Sequence, residues 1–153
     1  MDAQLVNIII EATLYIIDTL ASTQVSKAHK PYSKKGQKPS GDICGFIEMK
    51  GNPNGTIAVC FNKSGILSIV STMLFEEIKE INDEIIDAVG EISNQISGHV
   101  KTKMGDIGKT QQVRFVKSIS ATDLILHFPN RPTLVLPFET KDGRFTIEIC
   151  FDK

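Results

Sequence analysis

Phe145, Ile147, Ile149 and Phe151 alternate with Arg144, Thr146, Glu148 and Cys150, and this period of two is met only by an extended strand with one buried face. Such a strand needs partners beside it and a layer above it. The preceding segments supply the partners: 112–119, 122–128 and 132–139 are strand-like, and Asp142-Gly143 forms the turn into the last strand. Upstream, 42–50 and 55–62 form a second β-rich pair around Gly51-Asn52-Pro53-Asn54-Gly55, with Ile57, Val59 and Phe61 on one face.

The covering layer comes from three segments with helical spacing. Residues 3–21 place Leu5, Ile8, Ile9, Ala12, Tyr15, Ile16 and Leu20 at intervals of three and four. The stretch AHKPYSKKGQKPSG (28–41) lacks such periodicity and reads as a loop. Helical spacing returns over 64–74, and Asn82 suits the N-cap of a third helix running to about Met104, where Gly105 stops it. This order predicts an α+β fold, with helices packed on one side of a largely antiparallel sheet and a single domain over 1–153.

Several classes of function are disfavoured. A formal charge of -1 and a pI of 6.3 create no field that would draw nucleic acid or an anionic membrane. The apolar run LVNIIIEATLYII is interrupted by Asn7 and Glu11 and lacks basic or cleavage-site flanks, so it reads as neither signal peptide nor membrane span. Cys44, Cys60 and Cys150 are odd in number and widely spaced, which argues against a disulfide framework or zinc site and favours a reducing cytoplasm. His29, His99 and His127 are expected to be structural, and Lys27, Lys30, Lys34, Lys35 and Lys38 to be solvated loop residues.

Chemistry concentrates on the third helix. At about 100° per residue, Ile85, Val89, Ile92, Ile96 and Lys103 form one stripe, expected to be mostly core. Asp87, Glu91, Asn94, Gly98 and Lys101 form a second stripe on the opposite face. Glu91 and Asn94, at i and i+3, are presented together by a rigid scaffold before any partner arrives. Gly90 and Gly98 each cost a helix about 0.5–1 kcal/mol relative to alanine. Close approach of another backbone is one gain that would offset this. Asp83, Glu84 and Asp87 fit the positive end of the helix dipole.

The segment Asp87-Ala-Val-Gly-Glu91-Ile-Ser-Asn94-Gln-Ile-Ser-Gly98 resembles the acidic-x-x-x-Glu-x-x-Asn signature of the CheC–FliY–CheX family of chemotaxis phosphatases. The likeness covers nearly the whole chain, and the length is that of the CheX branch. In the register of the signature, the first helix reads Asn7-x-x-x-Glu11-x-x-Leu14, with Leu14 in place of the amide, which implies one working site per chain. The family often carries a proline some twenty-two residues beyond the Asn; here that region reads Arg114-Phe-Val-Lys-Ser118.

The resemblance implies a CheC-like fold and a protein that strips phosphate from the aspartate of a CheY-like response regulator. Asn94 would orient the attacking water and Glu91 would pair with a lysine of the regulator, with Asp87, Gly90 and Gly98 at the contact. An ordinary exposed carboxylate titrates near about pH 4, poorly matched to proton abstraction at neutral pH, so Glu91 is assigned docking rather than general-base work. Mg²⁺ is expected on the regulator, with no cofactor or metal on this chain. A homodimer is implied as well. The competing expectation is a non-catalytic module of the same fold that binds a regulator or a flagellar-switch component.

Overall fold

In the computed structural model, residues 2–120 and 127–152 are described. Helix α1 (Ala3–Ala21) opens the chain, capped by the Asp2 carboxylate, which accepts from the backbone N–H groups of Gln4 and Leu5. Its apolar stripe is buried through Leu5, Ile8, Ile9, Ala12, Ile16 and Ile17, although its length and mean hydropathy would also suit a membrane span. Strands β1 (Val25–Ala28) and β2 (Tyr32–Lys34) follow, then the hairpin β3 (Ile43–Lys50) and β4 (Gly55–Phe61). Helices α2 (Lys63–Leu74) and α3 (Asp83–Asp106) precede β5 (Gln112–Ser120), β6 (Thr133–Thr140) and β7 (Arg144–Phe151).

The strands form one sheet in the order β1-β6-β7-β4-β3-β5, with β2 also paired to β6. Every pairing is antiparallel. The three helices cover one face, and the main core lies between, built from Ile57, Val59 and Phe61 of β4, Phe145, Ile147, Ile149 and Phe151 of β7, and the inner faces of the helices. The expected α+β arrangement is therefore the observed one.

Four expectations need correction. The segment read as a loop contains β1 and β2, short strands that owe their conformation to ladder bonds with β6. Helix α3 passes through Gly105 and ends in a Schellman motif at Gly108 (φ +76°), where the N–H of Lys109 donates to Met104 and that of Gly108 to Gly105. Residues 122–126 of an expected strand lie outside the described residues, and 127 and 128 are not strand.

The fourth concerns the far face of the sheet, which is buried at its centre. Cys44, Phe46, Ala58, Cys60 and Ile119 form a second, small apolar cluster there. Contrary to the expectation of no disulfide, Cys44 and Cys60 are directly opposed across β3 and β4 and are joined in one; sixteen residues apart in sequence, they are brought together by hairpin register. Glu148 and Cys150 are likewise fully buried.

Candidate functional site

Helix α3 is held at its start by Asn82, whose Oδ1 accepts from the Ile85 N–H at 3.1 Å, and by acidic Asp83 and Glu84 in the first turn. A hydrogen bond with Glu76 raises the pKa of Glu84. Asp87 lies beyond that turn, where the dipole has faded, so the dipole does not account for it. Ser118 of β5 donates to the Ile86 carbonyl at 3.1 Å and ties the helix to the sheet edge.

The helix presses closely on β3. A Cβ built on Gly45 would collide with the Ser93 hydroxyl, and Ser93 itself donates to the Val89 carbonyl at 2.7 Å. Its buried side runs through Ile85, Val89, Ile92, Ile96, Val100 and Met104. Lys103, assigned to this stripe by the helical wheel, is exposed, because Val100 and Met104 complete the contact one turn apart and carry no charge to desolvate.

The opposite side is free. Asp87, Glu91, Asn94, Gly98 and Lys101 are all exposed. Gln95 Nε2 donates to Glu91 Oε1 at 2.9 Å, an i,i+4 contact that orients the carboxylate. Asn94 has no hydrogen-bond partner among the described residues.

Asp87, Gly90, Glu91 and Asn94 border an open groove of ≈ 520 Å³ whose other wall is Phe115, Lys117 and Ser118, with Ile86 at one end. Gly90 lets β5 come close: a Cβ there would sit 3.3 Å from the Phe115 ring. Gly98 faces open space, with nothing within 4 Å of its would-be Cβ.

The strand wall was not singled out from sequence. The register between β3 and β5 shifts here: Ile47 pairs with Phe115 and Phe46 with Lys117, leaving Val116 as a bulge. Bulges and edge strands are where a sheet tolerates proline, so the family's missing proline falls where the backbone is already irregular. Simple alternation marks the strand but not the bulge that aims its residues.

The sequence counterpart on α1 is different. Glu11 is exposed, while Leu14 is partly buried against the core. His99 stacks against Tyr15 at 4.8 Å between ring centroids, and His29 pairs with Glu139 at 3.3 Å.

A buried polar network lies on the far face. Lys34 Nζ sits 2.9 Å from Glu148 Oε1, and the Ser40 N–H donates to Glu148 Oε2 at 2.6 Å. The ring of His127 spans Glu148 Oε1 at 3.2 Å and Thr56 Oγ1 at 2.8 Å. An ionised carboxylate only accepts, so Nε2 carries the proton toward Glu148 and, in the neutral ring, Thr56 donates to Nδ1. Lys34, expected to be solvated, is thus an inward-facing ion-pair partner. Beside this network a second cavity of ≈ 580 Å³ is lined by His29, Lys30, Tyr32, Ser40, Arg144 and Thr146 among others. Thr146 Oγ1 is the one buried side-chain oxygen or nitrogen without a partner among the described residues. Glu91 and Asn94 are not part of this cavity. No group of three or more His, Cys, Asp or Glu side chains that could hold a metal occurs among the described residues.

A three-helix layer over an antiparallel sheet, with a Glu-x-x-Asn face beside an edge strand, defines a CheC-like protein. The family model for chemotaxis phosphatase CheX matches residues 43–139. A CheC-like superfamily protein from Shewanella sp. PV-4 is 30% identical over 100% of both chains, with a TM-score of 0.88. Chemotaxis protein CheX from Vibrio vulnificus is also 30% identical, over 98% of this chain and 100% of that one, with a TM-score of 0.85. The fold is shared at 16% identity, over 97% of each chain with a TM-score of 0.78, by a structure of a CheX–CheY–BeF3–Mg²⁺ complex from Borrelia burgdorferi. No curated protein matches the sequence. The chain belongs to the CheX family.

Proposed function

We propose that this protein, acting as a single domain, accelerates hydrolysis of the aspartyl phosphate on a CheY-like response regulator, with Glu91 and Asn94 completing the regulator's site in trans. The observation that carries this reading is the exposed pair on one face of a buried-backed helix, bordering a groove open to a second protein. The family, and a relative with this fold whose structure contains CheY, BeF3 and Mg²⁺, support the choice of partner.

Phosphoryl transfer to water passes through a loose transition state, so catalysis is mainly positioning and charge stabilisation. The Asn94 side-chain carbonyl accepts from the attacking water and aligns its oxygen with phosphorus. The P–O bond to the regulator's aspartate breaks as the new one forms, the carboxylate leaves, and the water proton ends on inorganic phosphate. Glu91, already turned by Gln95, pairs with the regulator's lysine and sets the docking angle. Mg²⁺, held by the regulator, neutralises charge on the phosphoryl oxygens. The family, rather than the cysteines, supports a cytoplasmic setting, and two copies pair through open sheet edges.

Phosphate release from a phosphorylated regulator tests this. Asn94→Ala is expected to lower stimulated dephosphorylation about a hundredfold, the scale of a misplaced reacting group, and to change stability by less than about 0.5 kcal/mol, as at exposed positions. A mutant as fast as the wild type would remove Asn94 from the mechanism.

A further inference from the structure

We propose that the cavity on the far face of the sheet, between segment 29–31 and a floor of Cys60, Pro137 and Thr146, is a binding site for a small organic oxyanion, a phosphate or carboxylate carried on a flat ring. It lies on the other side of the sheet from Glu91 and Asn94 and is independent of the phosphatase reading.

The cavity exists because the sheet is interrupted near its edge. Strand β1 pairs with β6 as far as Ala28 opposite Phe138, and β2 resumes the pairing with Tyr32 opposite Val135. Residues 29–31 therefore stand against Leu136 and Pro137, three against two, and belong to neither strand. Pro137 has no N–H to give to a ladder, and its carbonyl accepts from the His29 N–H at 2.9 Å. The surplus residue carries the segment out of the ladder and leaves a cavity of ≈ 580 Å³ beside it, a size that suits a small ligand. Its floor crosses three adjacent strands, since Thr146 is paired with Cys60 on one side and with Pro137 on the other.

Charge sets the sign of the ligand. Lys30 and Arg144 line the cavity, are exposed, and join no ion pair among the described residues. Glu139, the carboxylate among the lining residues, is already engaged by His29 at 3.3 Å. Two unanswered cations beside an answered carboxylate favour an anion, and the guanidinium fork matches the oxygens of a phosphate or carboxylate.

Shape and polarity set the rest. Tyr32, 49% exposed, and His29 offer ring faces to a flat group. Thr146 Oγ1 is buried and lacks a partner among the described residues, which costs stability until something answers it. Thr146 is partly exposed although its Oγ1 is covered. One step about χ1 exchanges its methyl and hydroxyl and turns the O–H toward an oxyanion that accepts from it.

NMR titration of the full chain with phenyl phosphate, benzoate, inorganic phosphate and benzylamine tests the proposal. Phenyl phosphate or benzoate is expected to bind with a Kd of about 1 mM or tighter, the range for ligands of this size. Binding should move the Thr146 methyl and Tyr32 ring resonances and weaken with salt. Inorganic phosphate, which lacks the ring, should bind about tenfold or more weakly, and benzylamine not at all. Arg144→Glu should weaken binding about tenfold or more. Thr146→Val should weaken it about threefold or more while the urea midpoint stays equal or rises, because valine keeps the shape and removes the orphan hydroxyl. No binding of either ring oxyanion at about ten times that concentration, equal binding of benzylamine, or wild-type affinity in both variants overturns the proposal. Asn94→Ala should bind these ligands as the wild type does, so failure here leaves the phosphatase reading standing.

Discussion

Glu91 and Asn94 differ in what holds them: the carboxylate is steered by Gln95, whereas the amide has no hydrogen-bond partner among the described residues, as its proposed role toward a water requires. Both were legible in the sequence because their exposure depends only on helical period. Phe115 was not, since a bulge one residue long sets it in register with Ile47 on the helix side and Lys117 in register with Phe46 on the far face. Gly90 and Gly98, alike in sequence, also separate here. Gly90 admits the Phe115 ring of its own fold, while Gly98 has no neighbour to accommodate. Gly98→Ala should therefore stabilise the helix by about 0.5–1 kcal/mol, seen as a higher urea midpoint, and, on the proposed role of Gly98 at the regulator contact, slow dephosphorylation. An unchanged rate would take Gly98 out of the contact.

At the scale of elements, the approach of α3 to β3 determines how far its outer face stands from the sheet. Gly45 sits directly under Ser93, so Gly45→Ala forces the helix outward or Ser93 into a worse rotamer. We expect a loss of about 1–3 kcal/mol, the usual cost of overpacking, measurable by chemical unfolding. The start of α3 was readable because Asn82 carries a capping side chain; that Asp2 and Asn62 cap α1 and α2 in the same way emerged from the structure. The end of α3 was less so: Gly105 and Gly108 both qualify, and only the backbone shows which one takes the left-handed conformation. Strands β1 and β2 had no alternation to announce them, because strands this short are created by their neighbour β6 rather than by a buried face of their own.

For the whole molecule, the far-face network links the β2 segment and the chain around His127 to β7. Burial alone would raise the pKa of Glu148, but hydrogen bonds from His127 and Ser40 and the Lys34 ammonium bring it from 4.5 down to about 2. A folded-state pKa below the unfolded one stabilises the fold at pH values above the unfolded value, and that contribution is lost as pH falls from about 4.5 toward 2. The shift corresponds to about 3 kcal/mol, of which about 2 kcal/mol should disappear between pH 6 and pH 3. Urea unfolding across this range should show a steep acid-side decline for the wild type and a shallower one for Glu148→Gln. A steep decline in both would place the acid sensitivity elsewhere. Strand β5 closes one side of the sheet and β1 the other, so each leaves an edge that another chain can extend. Light scattering should report twice the monomer mass of 16.9 kDa, and a monomer at working concentration would remove the homodimer.

Period and spacing by themselves determined the α+β class, the three helices, most of the sheet and the polar face that carries Glu91 and Asn94. These depend on local geometry, and local geometry repeats along the chain. Only the tertiary structure decided that Cys44 meets Cys60, that Lys34 turns inward to Glu148 and that Phe115 and Lys117 form the second wall of the groove. Each of those pairs residues distant in sequence through strand register, which no single segment encodes.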